Sequence, residues 1–153
     1  MALSRRQLLM GIAAASVAPF STRLWAKDAT VVAAGVKFDP MFVYIEPGQA
    51  VSWTNMPSHN VELITAMIPS EDQYFVTELG ADISHTFDVP GIYMYKCTPH
   101  WGTRMGGGIM VGSPDNPQGI LDGYMEAIES DRGNLLPAKG LIKKFKKDLE
   151  ARA

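Results

Sequence analysis

"HTFDVPGIYMYKCTPHWGTRM", His85–Met105, decides how this chain folds. Two β-type runs meet at Pro90-Gly91. After the turn, the alternation of a strand puts Tyr93, Tyr95 and Cys97 on one face. "DVPGIY" has the form of a tyrosine corner, in which the Tyr93 hydroxyl ties down a Greek-key crossover. Cys97 ends the second strand, Thr98-Pro99 turn the chain, and Met105 opens the glycine run before the next strand. The lone cysteine, a histidine three residues on and a methionine five beyond that therefore share one short loop.

Working outward, the same punctuation recurs. "TVVAAGVKF" reads as a strand. "FVYIEPGQAVSWTN" reads as two strands around Pro47-Gly48, and "GGIMVG" as a last short one. Short runs cut by Pro-Gly turns point to a β-sandwich or barrel; an all-β Greek-key β-sandwich, over about residues 27–113, is the fold expected. After Gly112 the period changes. Ile120, Leu121, Tyr124, Met125 and Ile128 fall on one helical face, with Asn116 placed to cap it and Pro117 at its first position. "DRGN" breaks the pattern. Leu141, Ile142, Phe145 and Leu149 make a second stripe, with lysines opposite in a solvated face. Two C-terminal α-helices over about 116–151 are expected.

Composition sets bounds. An apolar share of 46% against 20% charged residues fits one globular domain in 153 residues. The net charge of −2 hides a distribution: residues 27–115 carry four Lys/Arg against ten Asp/Glu, and residues 116–153 seven against six. An acidic core domain argues against nucleic acid as a partner. One cysteine excludes an intramolecular disulfide.

Residues 1–26 read as an export signal. Arg5-Arg6 precede an apolar run from Leu8 to Phe20, which is too short for the roughly 20 residues of a membrane span. Ser4-Arg5-Arg6-Gln7-Leu8-Leu9 looks like a twin-arginine signal, although Leu8 and Met10 depart from its usual residues. An ordinary secretory leader with a chance arginine pair is the other reading. Either places the mature chain, from about Lys27, in the periplasm. A lone thiol in an oxidising compartment is a liability unless something occupies it.

A metal would occupy it. Cys97, His100 and Met105 sit on a loop tied at both ends by strands, and "MPSHNVEL" supplies His59 as a fourth donor. Two imidazoles, a thiolate and a weak axial thioether make the type 1 blue-copper donor set. Structural zinc seldom uses methionine, and the Cys-x-x-Cys-His of haem attachment is absent. A Cys97–His100 nucleophile pair lacks an orienting third group and leaves Met105 unexplained. His85 reads as a non-ligand at an exposed strand end. Met110 reads as core, and Met56, near His59 in sequence, stays open.

These pieces resemble the cupredoxins, the blue copper proteins, and within them most resemble the pseudoazurins. "FDPMFVYIEPGQAVSWTN", "HNVE", "MIP", "VPGIYMYKCTPHWGTRM" and the two helical stretches carry the likeness over essentially all of the mature chain. The resemblance implies one type 1 copper per chain, held by His59, Cys97, His100 and Met105. It implies that Asn60 makes hydrogen bonds near the Cys97 sulfur and towards Thr98. Three features depart from the pattern: Trp101 stands where a tyrosine is familiar, Thr103-Arg104 where small or apolar residues are typical, and the usual ring of lysines is missing.

The function expected is a periplasmic electron carrier, not an enzyme, cycling between Cu(II) and Cu(I). Its partners would be redox proteins, a cytochrome c or a copper or haem oxidoreductase, docking near His100 on a patch that includes Pro99, Trp101 and Gly102. A monomer with no membrane span is expected. A copper-trafficking protein is the alternative, and a copper oxidase or reductase would need more than the three histidines present.

Overall fold

The computed structural model describes residues 28–153; the expected export segment lies outside the described residues. Eight strands, among the described residues, form two sheets. One takes β1 (Ala29–Ala34), β2 (Lys37–Asp39), β4 (Gln49–Thr54) and β6 (Ile83–Phe87) in the order β2-β1-β4-β6. The other takes β3 (Phe42–Ile45), β5 (Glu62–Leu63), β7 (Gly91–Lys96) and β8 (Gly106–Val111) in the order β3-β8-β7-β5. β1 pairs parallel with β4 and β3 with β8; the other pairs are antiparallel.

The run "TVVAAGVKF" is not one strand. Gly35 takes a φ of 61°, the left-handed region that glycine reaches without a Cβ clash, and the run folds back as a β1–β2 hairpin. The two Pro-Gly turns do what the sequence suggests, but each carries the chain across to the opposite sheet rather than into a hairpin. At the second of them the Tyr93 hydroxyl donates to the Val89 carbonyl at 2.7 Å, which is the expected tyrosine corner.

Three helices follow where two were expected: α1 (Pro117–Ser130), α2 (Arg132–Leu135) and α3 (Ala138–Arg152). The Asn116 side chain accepts from the Gly119 N–H at 3.0 Å, with Pro117 opening α1. "DRGN" is a break and also a start, because the Asp131 carboxylate accepts from the Asn134 N–H and caps the short α2. The stripe of Leu141, Ile142, Phe145 and Leu149 is buried against the outer face of the second sheet. Phe145 stacks on Phe42 at 4.4 Å and 5°. The Tyr44 hydroxyl donates to Asp148 at 2.5 Å, with the Arg152 guanidinium over its ring. Each fully buried side chain of this size contributes about 1.5–3 kcal/mol.

β7 is thus buried on both faces. Tyr93 and Tyr95 join Cys97 in the core between the sheets, while Ile92 and Met94 face the helices. β8 opens with three glycines because there is no room for more. A Cβ on Gly107 would lie 2.5 Å from the Tyr95 hydroxyl, and one on Gly108 would lie 2.5 Å from the Phe145 ring. Among the described residues no helix is long and apolar enough to cross a membrane.

Candidate metal centre

The loop between β7 and β8 is laced by its own backbone. The Cys97 N–H donates to the Met105 carbonyl at 2.9 Å, which closes the loop. The His100 N–H donates to Cys97, and the Met105 N–H donates back to His100, both at 3.2 Å. Trp101–Thr103 form a single tight turn that ends with Arg104 at a φ of 65°. His59 arrives from the loop after β4. Its N–H donates to Met56 at 3.0 Å and its carbonyl accepts from Gly80 at 2.9 Å, so it too is held on both sides.

Three donor atoms converge there. His59 Nδ1 lies 3.2 Å from His100 Nδ1, and Cys97 Sγ lies 3.6 Å from the first and 3.4 Å from the second. A triangle with these sides has its centre about 2.0 Å from each corner, close to the metal–imidazole bond length of about 2.0–2.1 Å and short of the roughly 2.3 Å of a metal–thiolate bond. His59, Cys97 and Met105 are buried and His100 is half-buried. Burial first, and the facing His100 second, push the His59 imidazole below its usual pKa, which favours the neutral ring with a lone pair to give. Thiolate and thioether sulfurs beside imidazoles suit copper better than a hard cation.

The comparisons agree with this geometry. Residues 26–112 match the family model for copper binding proteins of the plastocyanin/azurin family. The chain belongs to that family. Copper is accordingly its metal, and its nearest likeness within the cupredoxins is to the pseudoazurins. Pseudoazurin of Paracoccus pantotrophus is 38% identical over 81 residues, covering 52% of this chain and 56% of that protein. Pseudoazurin of Methylorubrum extorquens is 34% identical over 106 residues, covering 68% and 66%. The chain thus spans between about half and two thirds of these relatives' lengths. The crystal structure of pseudoazurin from Methylobacterium extorquens AM1 superposes with a TM-score of 0.61 at 30% identity, covering 78% of this chain and 98% of that one.

His59, Cys97 and His100 come together, and Met105 lies in the same buried core between the sheets as Cys97. Met110 packs on the other face of its sheet, with Ile92 and Phe145. Asn60 behaves as expected towards Thr98: its Oδ1 accepts from the Thr98 N–H at 2.8 Å and its Nδ2 donates to the Thr98 hydroxyl at 3.0 Å. His85 is not at an exposed strand end. It sits within β6, half-buried and stacked on Phe75 at 4.1 Å, away from the donor cluster. Sequence reading assigned no role to Glu62, whose carboxylate accepts from the Thr98 hydroxyl at 2.7 Å. Its signal was the two-residue spacing from Asn60, which puts both side chains on one side of an extended segment.

Trp101, expected in an apolar docking patch, also makes a bond that sequence reading did not anticipate. Half-buried, it donates its indole N–H to the Asn134 carbonyl of α2 at 2.8 Å, and its ring lies against Gly106. Trp101→Phe keeps a ring but removes this donor. It is expected to cost about 0.5–1.5 kcal/mol, read by urea unfolding of the metal-free protein. Unchanged stability would show that the loop does not depend on its bond to the helix.

Proposed function

We propose that this protein is a periplasmic, mononuclear type 1 copper electron carrier whose metal is held by His59, Cys97, His100 and Met105. The observation that carries the reading is the convergence of two imidazole nitrogens and a thiolate sulfur on one point, beside a buried methionine on the same closed loop. Copper held there supplies a one-electron Cu(II)/Cu(I) couple. The chain supplies rigidity: Cys97, His100 and Met105 are spaced by backbone hydrogen bonds, so their positions change little when the charge between them changes. Burial of His59, Cys97 and Met105 keeps water from the sulfur.

His100 is the most exposed of the four, so it is the port through which the electron passes. Exposed Pro99, Gly102, Thr103 and Arg104 surround it. Partners are redox proteins that dock weakly there, through interfaces below about 1,200 Å². No substrate is turned over, which makes the protein a carrier rather than an enzyme. A trafficking role fits less well, because handing over metal needs an open site and this thiolate is buried in a tied loop.

The Cu(II)-loaded protein is expected to absorb intensely in the visible through thiolate-to-copper charge transfer, and Cys97→Ser to abolish the band. Met105→Gln should retain copper but shift the reduction potential, since the axial group tunes it; Met110→Leu should leave the potential nearly alone. A colourless Cu(II)-loaded wild type would sink the reading. The reverse pattern of potentials would move the axial role to Met110.

Location rests on residues 1–26. Fractionation of cells expressing the full chain should put a shortened form in the periplasm; unshortened protein confined to the cytoplasm would contradict it.

Residues 27–115 carry a net charge of −6, four Lys/Arg against ten Asp/Glu, which favours a partner with a basic face. Arg104 stands out as a positive charge beside the port. Exposed pairs are worth about 0–1 kcal/mol, so Arg104→Glu should slow electron transfer with the native partner several-fold and leave the copper spectrum unchanged. Stopped-flow rates at two salt concentrations test this. Rates indifferent to both salt and substitution would leave apolar contact alone to guide docking.

A further inference from the structure

The backbone bonds of the loop fix where Cys97 sits, but they leave open what holds the outward side of the strand end that carries it. Both chain neighbours of Cys97 reach the same carboxylate. Glu62 Oε2 accepts from the Thr98 hydroxyl at 2.7 Å, and Glu62 Oε1 lies 3.3 Å from the Lys96 ammonium. The Tyr74 hydroxyl reaches Oε1 at 3.4 Å. Glu62 is itself placed by the sheet, paired with Lys96 across β5–β7 and bridged to Val76 on its other side. Its side chain is only 20% exposed.

We propose that Glu62 is a positioning residue for the Cys97 thiolate, its carboxylate clamping Lys96 and Thr98 so that the sulfur between them stays aimed at the His59 and His100 nitrogens. The proposal rests on the copper reading above. The clamp is directional. The Asn60 amide donates to the Thr98 hydroxyl, which donates in turn to Glu62, and a hydroxyl that accepts and donates in one chain strengthens both bonds. The last acceptor is an ionised carboxylate, which makes that bond the strong one. Thr98 is therefore held at three points: its amide and its hydroxyl by Asn60, and its hydroxyl again by Glu62. Asn60 immediately follows His59, so one chain of bonds runs from the neighbour of one proposed ligand, through the neighbour of a second, to Glu62.

The test compares Glu62→Ala, Glu62→Gln and Lys96→Met with wild type, both copper-loaded and metal-free. Loss of a group that orients a metal ligand typically costs about 10- to 100-fold in affinity. Glu62→Ala should show that loss together with a displaced thiolate-to-copper band. Glu62→Gln keeps an oxygen acceptor for Thr98 and should recover most of both. Lys96→Met removes one arm of the clamp, together with the ammonium's approach to the Trp101 ring, and should shift the band and weaken affinity less than Glu62→Ala does. In the metal-free protein, Glu62→Ala should speed hydrogen exchange at the Cys97 and Thr98 amides, and Glu62→Gln should not. Glu62→Ala with wild-type band, affinity and exchange would overturn the proposal. So would lower thermal stability with all three unchanged in the folded protein, since that is a structural role only. A wild type with no thiolate band would overturn the copper reading itself, and this proposal with it.

Discussion

The site depends on one closure. The β7–β8 ladder ends at the Lys96–Gly106 pair, and the next bond, Cys97 N–H to the Met105 carbonyl, joins the first and last members of the donor loop directly. Between them the His100 peptide is used from both sides: its N–H donates to Cys97, and its carbonyl accepts from the Met105 and Thr103 amides. The spacing of a thiolate, an imidazole and a thioether is thus written in backbone hydrogen bonds. The proposed electron carriage depends on this property, because a donor set that cannot relax far between two charge states keeps the barrier to transfer low.

That closure is only as firm as the two strands it joins, and both lie in the interior. Tyr93 and Tyr95 fill the space between the sheets, while Ile92 and Met94 meet the helices. The glycines that open β8 let Tyr95 and Phe145 come against its backbone from opposite sides. The C-terminal helices are therefore not an appendage. They form a third layer that presses on the strands of the site, and the Trp101–Asn134 bond extends their grip to the loop. A tryptophan next to His100 has a physical sense here: its indole N–H reaches a helix carbonyl.

Much of this was legible in the sequence, for reasons that can be named. The strand alternation through Tyr93, Tyr95 and Cys97 and the helical stripe of Leu141, Ile142, Phe145 and Leu149 survived because burial enforces each period over several residues. The donor set was legible because few chemistries want cysteine, histidine and methionine together. What failed was short or tertiary. Gly35 split a run whose composition is β-type on both sides of it. Asp131 supplied a cap inside a segment that read only as a breaker. His85, flanked by Ser84 and Thr86, read as a strand end, but the Phe75 ring that covers it comes from ten residues upstream and leaves no periodic trace. Glu62 had a legible side but an illegible partner, since nothing in the order of residues says that Lys96 and Thr98 will both face it.

The charge pattern gives the carrier reading its last constraint. A net −6 over residues 27–115 acts at long range, attracting basic faces until salt screens it over about 8–10 Å. Arg104 acts at short range, fixed at a left-handed position by its own turn and next to the half-buried His100. The two terms have opposite sign and different reach, so they do different work. On the proposed carrier reading, the long-range field would govern which partners approach and how often, and the local charge which approach ends with the His100 edge in contact. A partner suited to both carries a basic face with one acidic group near its own redox centre.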